Sequence, residues 1–442
     1  MLEDLEVQNF LNHLENNGKL ERLATSSDNK KAPVHRWFPF FVGFSHNLVK
    51  ETINYFHIND SCLLFDPFIG SGTTGVVGKE LDVNIVGNES NIFLYKICKV
   101  KTCSFVDPQK LIIFGNQLLK KASTNWRKAD LSNENVLLNK IFPQDNLKKM
   151  ITIREILKLD YDIPGKFKRF FFLALTMSIP KLSSFSINVP YVTWRCKRKS
   201  EETFNAFKKN ISIISEDMKK QQFVEKTHAA VKVYLHDSRK QNLQIKNSIA
   251  DMIFTSPPYL NNLDYGEALK VFLYFWRISK NWNEITKKIR NPSIVSSTTH
   301  YHKGDFFKKK SEEILGKQFI NRLPAISNEI ISKIEHIRKE KERKGTGKSF
   351  DILTALYFKD MSKVLDEMKR ILKNNGLAFI VIGDSAPCGV HIPTDTLLGE
   401  MAIELGFSSY TLKPLRIRGT KWASLRYRHN RELRESLLIL RR

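Results

Sequence analysis

Cys62-Leu63-Leu64-Phe65-Asp66-Pro67-Phe68-Ile69-Gly70-Ser71-Gly72-Thr73-Thr74 is the stretch that decides the fold. Its first four residues form an apolar run that reads as a strand, and the two glycines after it mark a tight turn. From Thr74 to Leu81 the pattern is helical. Strand, glycine turn and helix in that order begin an α/β unit. Glycine adopts backbone angles that other residues avoid and lets a ligand approach the main chain closely. The helix N-terminus beyond the turn offers free N–H groups and a partial positive charge, which suit a carboxylate. The spacing matches neither the phosphate-binding G-x-x-x-x-G-K-[ST] pattern nor the dinucleotide G-x-G-x-x-G pattern.

A second motif, Thr255-Ser256-Pro257-Pro258-Tyr259, follows the apolar run Ile249-Ala250-Asp251-Met252-Ile253-Phe254, which reads as a buried strand. Prolines fix φ and donate no N–H, so carbonyls there stay free to accept hydrogen bonds. The tyrosine adds a flat face for a planar group. Such a mouth is equipped to hold an exocyclic amine on a nucleobase. Alone, the motif reads as a proline-bearing loop after a core strand. Its combination with the glycine motif decides against that reading.

Together DPFIGSGTT (Asp66–Thr74) and TSPPY (Thr255–Tyr259) resemble the amino-methyltransferases that modify DNA with S-adenosylmethionine. The resemblance covers about half the chain, as separate blocks. It implies an α/β fold: a Rossmann-like class I methyltransferase with a mainly parallel seven-stranded sheet, plus large, mostly helical insertions. S-adenosyl-L-methionine is the implied cofactor, held by Asp66, Pro67, Phe68, Gly70, Gly72, Thr73 and Thr74. Ser256, Pro257, Pro258 and Tyr259 are the implied catalytic residues. Serine before the prolines is typical of the N4-cytosine enzymes, whereas Asp or Asn is more typical of N6-adenine enzymes. The implied activity is site-specific methylation of cytosine N4 in double-stranded DNA, within a restriction-modification or related defence system. A separate cognate restriction endonuclease is then a further partner. The cofactor motif precedes the catalytic motif here, the reverse of many TSPPY-bearing relatives.

With 442 residues, the chain suffices for one large domain with insertions or for two or three domains. Its 71 Lys and Arg against 46 Asp and Glu give a net charge of +25. That excess predicts a polyanion partner, most simply nucleic acid, bound in a salt-dependent way. A lysine-favouring genome accounts for single lysines better than for the total. The five cysteines are scattered without C-x-x-C spacing, which provides no structural zinc site and suits a reducing cytoplasm. The first residues lack the basic and apolar regions of a signal peptide. The most apolar stretch, Phe170 to Met177, is too short to span a bilayer and predicts a buried helix.

Phe44 belongs to an aromatic segment before the glycine motif that resembles the family's closure over the methionine part of the cofactor. Val83–Gly87 reads as a second strand, and Glu89 just beyond it fits the place where such folds bind ribose hydroxyls. Val231–Leu235 reads as a third, and the resemblance makes Asp237 the contact to the adenine amino group; after the TSPPY motif an aromatic helix is expected from Ala268 to Ile278. The expected division is a cofactor-binding part at 32–97, a helical insertion at 98–228, a catalytic part at 229–279, an insertion and candidate target-recognition segment at 280–349, and a closing part at 350–442. Within the first insertion, residues 183–191 read as a loop. Ile326, Ile330, Ile334 and Ile337 predict one long amphipathic helix in the second. Further on, a helix over 350–372, a buried strand over 377–383, a helix over 393–405 and closing strands at 410–415 and 436–440 are expected. DNA contacts are expected at Arg195, Lys197 and Arg198, at Lys287, Lys288 and Arg290, and at Arg418, Lys421 and Arg426.

A cytosine amine is a poor nucleophile because its lone pair is delocalised into the ring. Ser256 Oγ and the Pro257 carbonyl are expected to accept hydrogen bonds from it, so that positioning supplies most of the acceleration. The base must leave the stack to be reached, and Tyr259 is expected to stack on it. No metal is needed. Three alternatives remain on sequence: an N6-adenine DNA methyltransferase, an RNA or small-molecule methyltransferase, and a non-catalytic DNA-binding protein that kept the fold.

Overall fold

A computed structural model of the chain describes residues 5–16, 20–23, 25–38, 43–160, 162–188, 191–220, 228–306, 309–418 and 432–442. Its strands are β1 (Leu63–Asp66), β2 (Asn84–Glu89), β3 (Phe185–Asn188), β4 (Tyr191–Lys197), β5 (Val231–Leu235), β6 (Ala250–Thr255), β7 (Leu372–Gly383), β8 (Ser409–Arg418) and β9 (Leu433–Arg441). Seven of them form one sheet in the order β5-β2-β1-β6-β7-β9-β8. Neighbours from β5 to β7 pair in parallel, and β9 runs antiparallel to both β7 and β8. This mixed α/β architecture fits a class I methyltransferase fold.

The central strands are apolar almost throughout because both faces of the sheet are covered. Alternate residues serve opposite cores. Phe65, Ile253, Ile380 and Ile382 pack with helices Phe350–Ile371, Thr394–Glu404 and Pro324–Arg343. Leu64, Met252, Phe254, Phe379 and Val381 face the other way, toward helices Leu5–Asn16 and His46–Tyr55. There Phe10 lies among the rings of Tyr55, Phe56 and Phe379, with centroids 5.0 to 5.7 Å away. A third apolar cluster joins the helices between 108 and 220 to helix Tyr265–Phe275. The apolar run at 170–177 lies inside helix Gly165–Leu182, as expected.

Three boundaries differ from expectation. The segment read as a loop at 183–191 includes β3, which pairs antiparallel with β4. Phe185 and Val192 bury against the third cluster, and that burial holds the hairpin. The strand expected from 377 begins at Leu372, directly after helix Phe350–Ile371, and continues through Asn375 at positive φ. Helix Tyr265–Phe275 starts three residues before the expected Ala268, because Asp264 caps it by accepting from the Gly266 and Glu267 amides. The long isoleucine-lined helix forms over Pro324–Arg343. No helix among the described residues is long and apolar enough to cross a membrane.

Candidate active site

The carboxyl ends of β1, β2 and β6 converge, as ligand-binding strand ends do in open α/β sheets. Asp66 ends β1 fully buried. Its carboxylate accepts from the Phe68 amide at 2.9 Å, Thr74 Oγ1 at 2.6 Å and Thr255 Oγ1 at 2.7 Å. One side chain thus ties the first strand, the glycine-turn helix and the strand that delivers Ser256. Burial lifts its pKa to about 6 against the pull of those three bonds. Asp66 and Thr74 therefore brace the turn from beneath, and neither lines the cleft above it. The Pro67 carbonyl accepts from Ser238 Oγ at 2.6 Å, which anchors the loop after β5 to the same turn.

The two glycines do different work. Gly70 has φ +55°, and a Cβ there would meet nothing nearer than the Phe68 carbonyl at 3.7 Å. It lines the cleft. Gly72 has φ +94° and is the N-cap of helix Thr73–Leu81. A Cβ on Gly72 would lie 2.9 Å from Cys98 Sγ, so this position serves helix packing.

Phe44, Phe68, Gly70 and Thr73 form one part of the cleft wall, and Glu89, Ser90 and Asn91 another. Ser256 and Pro258 reach it from β6. The structure therefore brings both motifs, Phe44 and Glu89 to a single cavity. Glu89 accepts from the Asn91 amide at 2.7 Å. Burial pushes its pKa up to about 7, and the nearby Asp66 charge acts in the same direction. Phe44 is fixed through its carbonyl, which accepts from Asn29 Nδ2 at 2.9 Å. Its ring lies 5.3 Å from that of Phe254.

At the β6 end of the cleft, Ser256 Oγ donates its hydrogen to the Val381 carbonyl at 3.0 Å. A hydroxyl has one hydrogen to give, so the Ser256 oxygen is left as an acceptor. Among the described residues, no donor reaches the Pro257 carbonyl. Tyr259 does not line the cleft; it sits beside it, with its hydroxyl 3.5 Å from Ser256 Oγ and donating to Glu435 Oε1 at 2.7 Å. Burial and the Glu435 charge hold the Tyr259 phenol well above its ordinary pKa.

Asp237 is placed differently from expectation. Its two oxygens hold the Arg239 guanidinium at 2.8 and 2.9 Å, and Arg239 continues to Asp360 at 3.0 Å. Asp237 does not line the cleft. Lining residues missed on sequence include Ser90, Tyr265, Ser293 and Ile294. Ser90 directly follows Glu89, and Tyr265 directly follows a capping aspartate, so both carried a local signal. Ser293 and Ile294 lie in a basic stretch that carried none. Ser90 Oγ and Ser293 Oγ are 3.2 Å apart.

The residues expected to touch DNA divide by their partners. Lys197, Arg198 and Lys287 are exposed, the first two near Trp194, which is 51% exposed. Arg198 also donates to the Pro180 and Ser183 carbonyls. Arg195 lies on β4, but its side chain is outside the described set, as are Lys421 and Arg426 entirely. Lys288 pairs with Glu284 at 2.9 Å. Arg290 is a correction: it is bound to Asp264 at 2.5 Å and lies 4.7 Å from the Trp282 ring. That buried pair commits Arg290 to the fold. Arg418 turns inward, with Cζ 5.1 Å from the centre of the Tyr259 ring.

Residues 12–100 match the family model N6_N4_Mtase, described as DNA methylase. The chain is 23% identical over 431 residues to the type II methyltransferase M.BsoBI of Geobacillus stearothermophilus, covering 89% of this chain and 82% of that protein. It is 23% identical over 426 residues to the type II methyltransferase M.AvaI of Nostoc sp., covering 88% and 82% respectively. The type II methyltransferase M.MvaI of Kocuria varians is 21% identical over 409 residues, covering 87% and 84%. The family match and the likeness to type II methyltransferases along most of the chain support an amino-methyltransferase family, and a DNA methyltransferase enzyme, for this protein.

Proposed function

We propose that this protein transfers a methyl group from S-adenosyl-L-methionine to the exocyclic N4 amine of a cytosine flipped out of double-stranded DNA. The observation that carries the reading is the state of Ser256. Its only hydrogen is engaged at Val381, so its oxygen stands at the cleft as an acceptor, and among the described residues no donor reaches the adjacent Pro257 carbonyl. Acceptors on two adjacent residues suit the two hydrogens of an amine. Drawing both hydrogens to the protein turns the nitrogen lone pair out of conjugation with the ring.

The cleft also fits the cofactor. Open space over Gly70 admits a ligand to the main chain, and the N-terminus of helix Thr73–Leu81 suits its carboxylate. Glu89 is the acceptor for ribose hydroxyls, and Phe44 and Phe68 supply apolar wall. Bound there, S-adenosylmethionine supplies an electrophilic methyl group. Pro257 and Pro258 keep the main chain rigid where the amine must be aimed. In this reading the sheet is Rossmann-like, and residues 98–228 and 280–349 are insertions that carry duplex contacts such as Lys197, Arg198 and Lys287. The net charge of +25 supports a polyanionic substrate. Type II relatives favour a place in a restriction-modification system, with a separate endonuclease as partner.

Sequencing DNA from a host expressing the protein, by a method that separates N4-methylcytosine from N6-methyladenine, tests this. N4-methylcytosine at one recurring sequence, strongly reduced with Ser256→Ala, is expected. N6-methyladenine at such a sequence would move the assignment to the adenine class. Unmodified DNA from cells with folded protein would remove the function.

A further inference from the structure

We propose that Arg418 is the placeholder of the flipped base: its guanidinium covers Tyr259 in the free protein, and the target base displaces it. The inference rests on the base-flipping function proposed above. Arg418 ends β8 and reaches across β9 to the carboxyl end of β7, next to the strand that carries Ser256. Its Cζ lies 5.1 Å from the centre of the Tyr259 ring. The Tyr259 ring itself packs against the sheet core. A base cannot stack on the covered face while the guanidinium is there.

Gly383 makes the room. A Cβ at 383 would lie 2.5 Å from Arg418 Cζ and 2.6 Å from Nη2. Gly383 is not among the residues with positive φ, so its backbone does not call for glycine. What the position requires is the absence of a side chain, and the guanidinium fills that space.

The fastening of Arg418 is weaker than that of its neighbours. Arg416 pairs with Glu435, and Arg434 holds Asp395 at 2.8 and 3.1 Å. Arg418 donates to the Asp384 carbonyl at 2.6 Å and has no carboxylate partner among the described residues. Its Nε is buried with no hydrogen-bond partner among the described residues. A buried donor left unmet is costly, and a cation held by one carbonyl is replaceable. The guanidinium is planar and delocalised and stacks on aromatic faces as a base does. Arriving base and departing guanidinium therefore exchange plane for plane on Tyr259, and the released cation faces a polyanion.

The test uses the full-length protein and a duplex containing its recognition sequence, read from methylated host DNA. The target nucleotide is replaced by 2-aminopurine, whose emission rises when it leaves the stack. Wild type is compared with Arg418→Ala and with Arg418→Lys, and thermal melting confirms that each folds. Lysine keeps the positive charge that attracts DNA but lacks the plane. The emission rise at saturating protein is expected to be about tenfold faster in Arg418→Ala, the scale of one cation–π contact and one hydrogen bond removed, with Arg418→Lys between it and wild type. An unchanged or slower rise in Arg418→Ala overturns the placeholder. Absence of any rise with wild type instead fails base flipping itself, and the placeholder with it.

Discussion

Glu89 links the cleft to a measurable pH dependence. With a pKa of about 7, it is ionised in about nine-tenths of molecules at pH 8 and about one-tenth at pH 6. The carboxylate accepts from ribose hydroxyls in charge-assisted bonds about twice as strong as those to the protonated acid. Cofactor affinity should then fall about tenfold from pH 8 to pH 6, or about 1.4 kcal/mol. Titration calorimetry with S-adenosylhomocysteine at pH 6, 7 and 8 measures this in wild type and in Glu89→Gln. The ligand's own amino group titrates equally with both proteins, so the difference between them isolates Glu89. Binding near pH 6 should also release a proton, visible by repeating the titration in buffers of different ionisation enthalpy. A parallel effect on stability has the opposite sense. The folded pKa lies above the ordinary 4.5, so the fold prefers the protonated form. That contribution is complete below the unfolded value and is lost as pH rises through about 7, an effect of about 3 kcal/mol. Without cofactor, Glu89→Gln should therefore melt higher than wild type at pH 8, and the gap should close toward pH 4. Identical pH dependence of affinity in the two proteins would refute the ribose role. A variant that melts lower at pH 8 would refute the burial argument.

Ser256→Ala removes the acceptor proposed to hold the amine and should lower turnover about a hundredfold with cofactor affinity unchanged, by steady-state kinetics and calorimetry. Gly70→Leu should abolish S-adenosylhomocysteine binding at a cost of about 1–2 kcal/mol in stability, since its side chain enters the cleft from a left-handed backbone. Gly72→Ala should do the reverse, lowering the melting temperature through its clash with Cys98 while the folded protein still binds the ligand. Arg290→Ala should destabilise the fold by about 3 kcal/mol by stranding Asp264, and should leave the salt dependence of DNA binding as in wild type.

Much of the sheet was legible because its central strands are uniformly apolar and end in unusual residues. Asp66 and Ser256 each follow such a run, and Glu89 closes the strand between helices. Side-chain commitments were less legible, because they are made across long stretches of chain. Asp237 stood at a strand end as expected, yet Arg239 two residues later captures it. Arg290 resembled a solvated charge in a basic run, but its partner Asp264 lies 26 residues earlier, across a helix. The β3–β4 hairpin was hidden because its apolar residues face an insertion core that only the folded helices create. Gly70 and Gly72 looked equivalent as letters. Only the position of Cys98 separates the one that faces the cleft from the one that faces a helix.

The central claim is amine methylation of DNA from this cleft. Its most direct measurement is mass spectrometry of nucleosides from duplex DNA incubated with purified protein and methyl-labelled S-adenosylmethionine. The account predicts labelled N4-methyldeoxycytidine with wild type and about a hundredfold slower labelling with Ser256→Ala. Label confined to RNA or to C5-methylcytosine, or no label from protein that binds the cofactor, would contradict it.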